Sequence, residues 1–416
     1  MKKTSIVGGG LHFGINTLTQ PFFALYAAQL GASTASIGGM LTLKAVLPLL
    51  IALPAGQLID RLGAPQLMRW GNRITILSLA LMVWSPNLLL LTLSQLLIGA
   101  GTMIVASSLQ VIVSEGDKAE RERNITRYSA WCSGGSMVGP LVGGAAVSAV
   151  SALRLEGWLG ALTDGYRTAF LIALFAALLF GALFRWASRH VRPDPGFGAQ
   201  LRTVFQPREI ADSYLKGIHL VRSPGIQFGL LGTFLIHFIQ SIWIGFFPLY
   251  LDMLGYSAFV ISVLVSLRGL AGMVSRMFIG RLTRRWSHQA LLIGAGCAAA
   301  VCLLLLPGMG WHAAAVGAVS LLIGAAVGIN MPVSTMIMVE DAMGDRGKIM
   351  GLRLLANRSS QVAAPMLFGL VGQLLGLAAA FYAGGAMLLA AMLGFSVYHR
   401  TRGAAVAIKQ RVEVEK

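Results

Sequence analysis

The sequence predicts an all-α membrane protein with twelve transmembrane helices in two pseudo-symmetric six-helix halves. Three observations lead to this prediction: the composition, the recurrence of long apolar runs and an internal repeat. Of the 416 residues, 56% are hydrophobic and only 12% are charged, whereas an ordinary soluble chain carries about 25% charged residues. The mean hydropathy is +0.72. A helix of roughly 20 apolar residues crosses a bilayer core, and runs of that kind recur along the whole chain.

The apolar runs define two sets of six predicted spans. The first set lies near 6–29, 36–59, 67–85, 88–114, 125–150 and 168–187, and the second near 225–250, 258–282, 289–307, 311–339, 348–375 and 376–398. A polar stretch with three helix-breaking prolines separates the sets. We therefore predict an N-terminal half over 1–187, a cytoplasmic linker over 188–224, a C-terminal half over 225–398 and a cytoplasmic tail over 399–416.

An internal repeat supports this division, since a shift of the sequence by 224 residues aligns landmarks of the two halves. The aligned pairs are Asn16 with Gln240, Tyr26 with Tyr250, Gly31 with Gly255, Lys44 with Arg268, Gly56 with Gly280 and Leu58 with Leu282. Their order matches the order of the predicted spans. Duplication of one six-helix unit is the simplest origin of such a pattern.

The positive charges are distributed asymmetrically across the predicted membrane. Of the 33 Lys and Arg residues, two (Arg154 and Arg167) fall in loops on one side, three lie inside helices, and the remaining 28 lie at or near the other side. Positive charge concentrates on the cytoplasmic side of membrane proteins, so both termini are predicted to be cytoplasmic. The positively charged side chains would then lie near the lipid headgroups, so the net charge of +17 does not require a nucleic-acid partner.

A glycine-bounded loop follows the second span. It reads Gly56-Gln57-Leu58-Ile59-Asp60-Arg61-Leu62-Gly63 and continues through Arg69. Gly56 and Gly63 would permit a tight turn, and Asp60 could face cationic side chains or a helix N-terminus. The repeat-related loop begins at Gly280, and Arg284 stands there in place of the acid.

The fifth span contains a run of small residues around a proline, Gly135-Ser136-Met137-Val138-Gly139-Pro140-Leu141-Val142-Gly143-Gly144. Pro140 removes one helical hydrogen bond and would kink the helix. Gly139, Gly143 and Gly144 allow close approach of neighbouring helices. Packing alone is the alternative explanation of these glycines.

With the twelve spans, these two motifs resemble the major facilitator superfamily over nearly the whole chain, and the fifth span is similar to that of its drug/proton antiporters. The resemblance implies secondary transport by alternating access. It implies gating roles for Gly56, Asp60, Arg61, Gly63 and Arg69 in the loop, and for Gly139, Pro140, Gly143 and Gly144 in span five. Two departures count against exchange of cationic drugs: Gln95 stands where those exchangers carry arginine, and span one lacks a carboxylate.

Lys44 and Arg268 are cations inside predicted spans, at repeat-related positions. A charge at the bilayer centre costs at least roughly 2.5–3.5 kcal/mol, and none of the 16 acids lies near the middle of a span. An anion held between these two side chains would compensate them, since Arg binds carboxylate or phosphate through two hydrogen bonds. In the alternative, Lys44 reaches outward to the membrane surface and Arg268 bonds to helix carbonyls.

Other polar residues within the spans are candidates for the wall of a substrate cavity: Asn16, Gln20, His237, Gln240, Asn330 and Arg358. His237 could also exchange protons near neutral pH and couple transport to them, although a lone buried histidine is often only a packing group.

The sequence therefore predicts a secondary transporter of the bacterial inner membrane, acting as a monomer on a small organic solute, with an organic anion favoured. A multidrug efflux antiporter and a lipid or lysolipid flippase are the alternatives. We predict no enzyme activity, metal or cofactor, because the sequence contains no metal-ligand cluster, phosphate-binding loop or nucleophile elbow.

Overall fold

A computed structural model describes residues 1–153, 165–190, 221, 223–340 and 346–414; within these ranges the side chains of 52–62, 118, 224, 339–340, 346–348, 350 and 399–414 are not described. The described part is helical throughout. Its helices are α1 (Lys2–Gln29), α2 (Thr34–Leu62), α3 (Ala64–Val83), α4 (Leu88–Ser114), α5 (Lys118–Ala152), α6 (Arg167–Ala187), α7 (Pro224–Met253), α8 (Ala258–Met277), α9 (Ile279–Arg285), α10 (His288–Met309), α11 (Ala313–Glu340), α12 (Arg346–Leu375) and α13 (Leu377–Val414).

Twelve of these helices correspond to the twelve predicted spans, and α9 is an additional helix of 7 residues. Within the described ranges, nine helices are long and apolar enough to cross a membrane by length and composition. The other three, α1, α3 and α12, have 28, 20 and 30 residues. They are more polar for three reasons: α1 begins with two lysines and carries amides at mid-length, α3 has two arginines in its first half, and α12 carries arginines and amides at mid-length. The predicted all-α fold is confirmed.

The observed helices correct three sequence-based boundaries. The eighth span was predicted to continue to residue 282, but α8 ends at Met277 and α9 begins at Ile279. The last helix continues to Val414, since the predicted tail is rich in alanine, arginine and lysine, which favour helix. Gly56 lies inside α2 and not in the turn. Most of the predicted linker, 188–224, lies outside the described residues.

The internal repeat is visible in the helix boundaries. α1 ends at Gln29 and α7 at Met253, α2 begins at Thr34 and α8 at Ala258, and α3 begins at Ala64 and α10 at His288, so the members of each pair are 224 residues apart. The turn after α1 contains Gly31 at φ +84°, and the turn after α7 contains Gly255 at φ +82°. Glycine adopts this left-handed conformation without strain. The two halves therefore share one helical framework.

Two seams join the halves, and they are related by the repeat. In the first, α2 packs on α12: a Cβ at Gly38 would overlap the backbone carbonyl of Pro365, and Thr42 Oγ1 donates to the Val362 carbonyl at 3.0 Å. In the second, α5 packs on α8, and a Cβ at Gly144 would overlap the Ser262 side chain. Ser262 lies 224 residues after Gly38. Each seam thus pairs the second helix of one half with the fifth helix of the other.

Several glycines of α5 pack closely against neighbouring helices, and the gating role of Gly139, Pro140, Gly143 and Gly144 remains a prediction. A Cβ at Gly135 would overlap the carbonyl of Gly10 on α1, and one at Gly143 would meet the Phe22 ring at 2.6 Å. Gly134, the neighbour of Gly135, has no heavy atom of another helix within 4 Å of its Cβ position. The close approach of α5 to α1 therefore depends on the glycines on the side of α5 that faces α1. Pro140 lies within the helix.

Candidate functional site

A cavity of about 370 Å³ lies at mid-height between the two halves. It is lined mainly by residues of α1, α2, α4, α5, α7, α8 and α12 that lie away from the ends of those helices. The volume falls at the lower end of the roughly 300–1,000 Å³ typical of small-molecule sites. The charged side chains and larger polar groups in its wall are His12, Asn16, Gln20, Lys44, Gln95, Gln240, Arg268, Arg358 and Gln361.

Lys44 on α2 and Arg268 on α8 both line this cavity, and equivalent helix contacts hold their backbones. A Cβ at Gly99 on α4 would overlap the carbonyl oxygen of Lys44, and a Cβ at Gly324 on α11 would overlap that of Arg268. Because α4 and α11 are repeat-related, the same glycine-mediated packing sets the position of each cation. The two charges enter the cavity from opposite halves.

The cavity is electropositive. Lys44, Arg268 and Arg358 are its charged lining residues, and no carboxylate lines it within the described chain. Lys44 forms no hydrogen bond or ion pair with any residue in the described ranges. The Nε atoms of Arg268 and Arg358 are buried and have no hydrogen-bond partner among the described residues. Donors that no protein group engages remain available to a bound solute.

Arg358 is oriented by its own helix. Its Nη1 donates to Gln361 Oε1 at 2.9 Å, and Gln361 Nε2 donates to Asn357 Oδ1 at 2.6 Å. This chain of hydrogen bonds leaves the Arg358 Nε without a described partner. Arg268 makes no hydrogen bond to a helix carbonyl in the described part of the protein. The structure therefore does not contain the alternative in which helix carbonyls hold this side chain.

The α1 wall is tied to α4 through a histidine. His12 Nε2 lies 3.2 Å from the Thr102 carbonyl oxygen and 3.4 Å from Asn16 Nδ2. Asn16 Nδ2 also donates to the His12 carbonyl at 3.2 Å. The tautomer of the ring decides whether Nε2 donates to Thr102 or accepts from Asn16. Gln20 lies one turn further along α1, and it lines the same cavity.

Two of the predicted substrate-binding residues do not line the cavity. His237 is buried, and its Nδ1 lies 2.7 Å from the Thr233 carbonyl oxygen. It lies one turn before Gln240 on α7, nearer the start of that helix. Asn330 is buried on α11, and its Nδ2 donates to the Leu292 carbonyl at 3.4 Å. A substrate-binding role for either residue remains a prediction, because neither side chain lines the cavity.

Three of the larger polar lining residues were not among the predicted binding residues: His12, Gln95 and Gln361. Gln95 had been noted only as a departure from the antiporter pattern. A sequence signal was present, because Gln95, Gly99, Thr102, Met103 and Ala106 follow helical spacing on one face of α4, and all five line the cavity. The polar and small residues in this stripe distinguish it from the lipid-facing side.

The predicted gating loop is described in part. Gly63 forms the turn between α2 and α3 at φ +77°. Arg69 Nη1 lies 3.4 Å from Ser188 Oγ and 3.5 Å from the Ser188 carbonyl, which ties α3 to the end of α6. Gly56, Asp60 and Arg61 lie in α2, but their side chains are outside the described set. Their gating role remains a prediction.

Two helical repeats that enclose a polar cavity at mid-height are the arrangement expected of a membrane transporter. The family model described as Major Facilitator Superfamily matches residues 6–357, and the chain belongs to this family. It is therefore an integral membrane protein, and its family membership indicates a transporter and not an enzyme. Within the described ranges, no group of His, Cys, Asp and Glu residues could hold a metal ion.

Two comparisons show which known proteins the chain is similar to. The chain is 27% identical over 296 residues to the multi-drug resistance efflux pump PmrA homolog of Lactococcus lactis subsp. lactis (strain IL1403), and the match covers 67% of this chain and 65% of that protein. The chain thus spans slightly less than two thirds of the relative. The crystal structure of the nucleoside transporter NupG superposes with a TM-score of 0.73 at 11% identity, over 95% of this chain and 99% of that chain. At this identity the similarity supports the fold alone.

Proposed function

We propose that this protein is a secondary transporter that binds an organic anion between Lys44 and Arg268 and carries it across the membrane by alternating access. The observation that carries the proposal is the cavity with three cationic side chains and no carboxylate among its described lining residues. A guanidinium group binds carboxylate or phosphate through paired hydrogen bonds, and a lysine adds a point charge. Such a site attracts anions and repels cations.

The position of the two cations fits alternating access. Lys44 belongs to the first half and Arg268 to the second, so a bound anion contacts both halves at once. Rocking of one half against the other would then change which side of the membrane reaches the site. We place the protein in a bacterial inner membrane with both termini cytoplasmic, on the basis of the Lys and Arg distribution.

Multidrug efflux is the second candidate, and one specific observation favours it: the relative that is 27% identical is named a multidrug efflux pump. The glycine-rich segment of α5 is compatible with either function, because its glycines pack against α1 and α8. The absence of an acid from the described lining of the cavity counts against cationic drugs. The two candidates therefore differ in the charge of the solute that is moved.

The direct test uses two solutes of similar size and permanent, opposite charge. Purified protein in liposomes should transport benzenesulfonate faster than phenyltrimethylammonium, because the cation meets three like charges in the cavity. Liposomes without protein give the background for both solutes. Transport of phenyltrimethylammonium without transport of benzenesulfonate would reject the anion proposal and support multidrug efflux.

A further inference from the structure

The cavity contains three amide side chains that no described residue engages. Gln20 on α1, Gln95 on α4 and Gln240 on α7 line it and make no hydrogen bond within the described ranges. Gln95 is buried, and the Oε1 atom of Gln240 is buried without a described partner. A buried polar group left without a partner costs about 1–3 kcal/mol. Three unengaged amides on three helices face one cavity, which indicates a ligand that supplies hydrogen-bonding groups in addition to its charge.

The hydroxyl groups of the cavity wall have a different role, because their hydrogen atoms are already used. Five hydroxyls donate to backbone carbonyls of their own helices at distances of 2.6–3.0 Å. They belong to Thr17, Thr19, Thr102, Ser136 and Ser241. Toward a ligand they offer lone pairs only. The free amides, each with two N–H donors and a carbonyl acceptor, are the groups that can match ligand hydroxyls.

The wall also carries more polar side chains than a site for a lipophilic solute requires. Polar or charged side chains belong to 14 of the 29 described lining residues, and the only aromatic carbocycles among the 29 are those of Phe13 and Phe23. Sites for drug-like molecules are lined mainly by apolar and aromatic side chains with few polar groups. An acyl chain or an aromatic drug would leave the amides of Gln20, Gln95 and Gln240 without partners.

We infer that the substrate is a small polyhydroxylated anion, a sugar acid or a sugar phosphate. Its acidic group lies between Lys44 and Arg268, and its hydroxyls bind the amides of Gln20, Gln95 and Gln240. A hydroxyl both donates and accepts, as an amide does. The inference rests on the proposed anion transport for the acidic group and adds the hydroxylated body. The volume of about 370 Å³ suits a small solute of this kind.

Equilibrium binding of four probes to the purified full-length protein separates the contribution of the acidic group from that of the hydroxyls. The probes are gluconate, glucose 6-phosphate, hexanoate and glucitol. We expect gluconate or glucose 6-phosphate to bind, and the tighter of the two identifies carboxylate or phosphate as the acidic group. Hexanoate lacks the hydroxyls and should bind at least roughly a hundredfold more weakly, because it leaves the amides unpaired. Glucitol lacks the charge and should bind at least roughly tenfold more weakly.

Substitution of the amides provides the second measurement. Gln95→Leu and Gln240→Leu should each weaken binding of the favoured hydroxylated anion about tenfold. Neither variant should weaken hexanoate binding, and each should strengthen it, because the amide that hexanoate leaves unpaired is gone. Gln110→Leu is the control, since Gln110 is exposed on α4 and does not line the cavity; it should change neither.

The outcomes distinguish the inference from the proposed function. Hexanoate binding as tightly as the hydroxylated anions, with loss in Lys44→Ala, would reject the hydroxylated substrate and retain anion transport. Glucitol binding as tightly as gluconate, with no loss in Lys44→Ala, would reject anion transport itself. Failure of both hydroxylated anions to bind, when benzenesulfonate is transported, would overturn the inference alone.

Discussion

Substitution of Arg268 by alanine is expected to weaken binding of the transported anion by roughly ten- to a hundredfold. The loss corresponds to one charge-assisted hydrogen-bonded contact, worth about 1.5–3 kcal/mol. The Arg268 side chain lines the cavity and has a buried Nε without a described partner, so its removal deletes a donor that the described protein groups do not use. Lys44→Ala should cause a loss of similar size. Binding to purified protein, measured by calorimetry, gives both values.

Conservative variants at the same positions refine this expectation. Arg268→Lys should still impair binding, because lysine cannot form the paired hydrogen bonds of a guanidinium group. Lys44→Arg should be milder, since a point charge is more easily replaced. Arg73 on α3 is an exposed cation outside the cavity lining, so Arg73→Ala is the control and should leave the affinity unchanged. Undiminished anion binding in both Lys44→Ala and Arg268→Ala would remove these residues from the site.

The second large effect is expected at the glycines that hold the two cations in place. Gly99→Ala and Gly324→Ala each put a methyl group onto a backbone carbonyl, that of Lys44 or Arg268. Backbone cannot move aside as a flexible side chain can, and overpacking costs about 1–3 kcal/mol or more. We expect lower thermal stability and loss of transport in both variants. Thermal unfolding in detergent and uptake into liposomes measure the two effects.

Gly39→Ala on α2 and Gly134→Ala on α5 are the matched controls. Neither glycine has a described heavy atom of another element within 4 Å of its Cβ position. Alanine favours helix over glycine by about 1 kcal/mol, so these variants should be as stable as the parent or more so. If Gly99→Ala and Gly324→Ala behave like Gly39→Ala, the close contact of α4 with α2 and of α11 with α8 does not position the cations.

Much of the fold was predictable because the membrane imposes one dominant pattern. Long apolar runs require helices, since backbone groups in lipid must bond within the segment. The 224-residue repeat was also visible, and helix ends such as Gln29 and Met253 preserve it. The ends of the helices were less predictable where no single residue determines where a helix stops. Gly56 suggested a turn, but one residue with positive φ, Gly63, is sufficient between α2 and α3.

The cavity was predictable where charge marked it. Lys44 and Arg268 were conspicuous, because a cation within an apolar helix is costly and therefore informative. Uncharged polar residues carry a weaker signal, because their burial in a helix costs less. Gln95 lines the cavity, and His237 lies one turn away from the residues of α7 that do so. The depth of a side chain within a helix bundle, and the direction it faces, depend on packing between helices distant in sequence.

Charge reversal at the cavity tests the central claim most directly. The ratio of benzenesulfonate affinity to phenyltrimethylammonium affinity is measured for the parent and for Lys44→Glu, with Arg73→Glu as the control. We predict that the parent favours the anion, that Lys44→Glu lowers the ratio by roughly a hundredfold or more, and that Arg73→Glu leaves it unchanged. A parent that favours the cation, or a folded Lys44→Glu variant with an unchanged ratio, would contradict anion selection by this cavity.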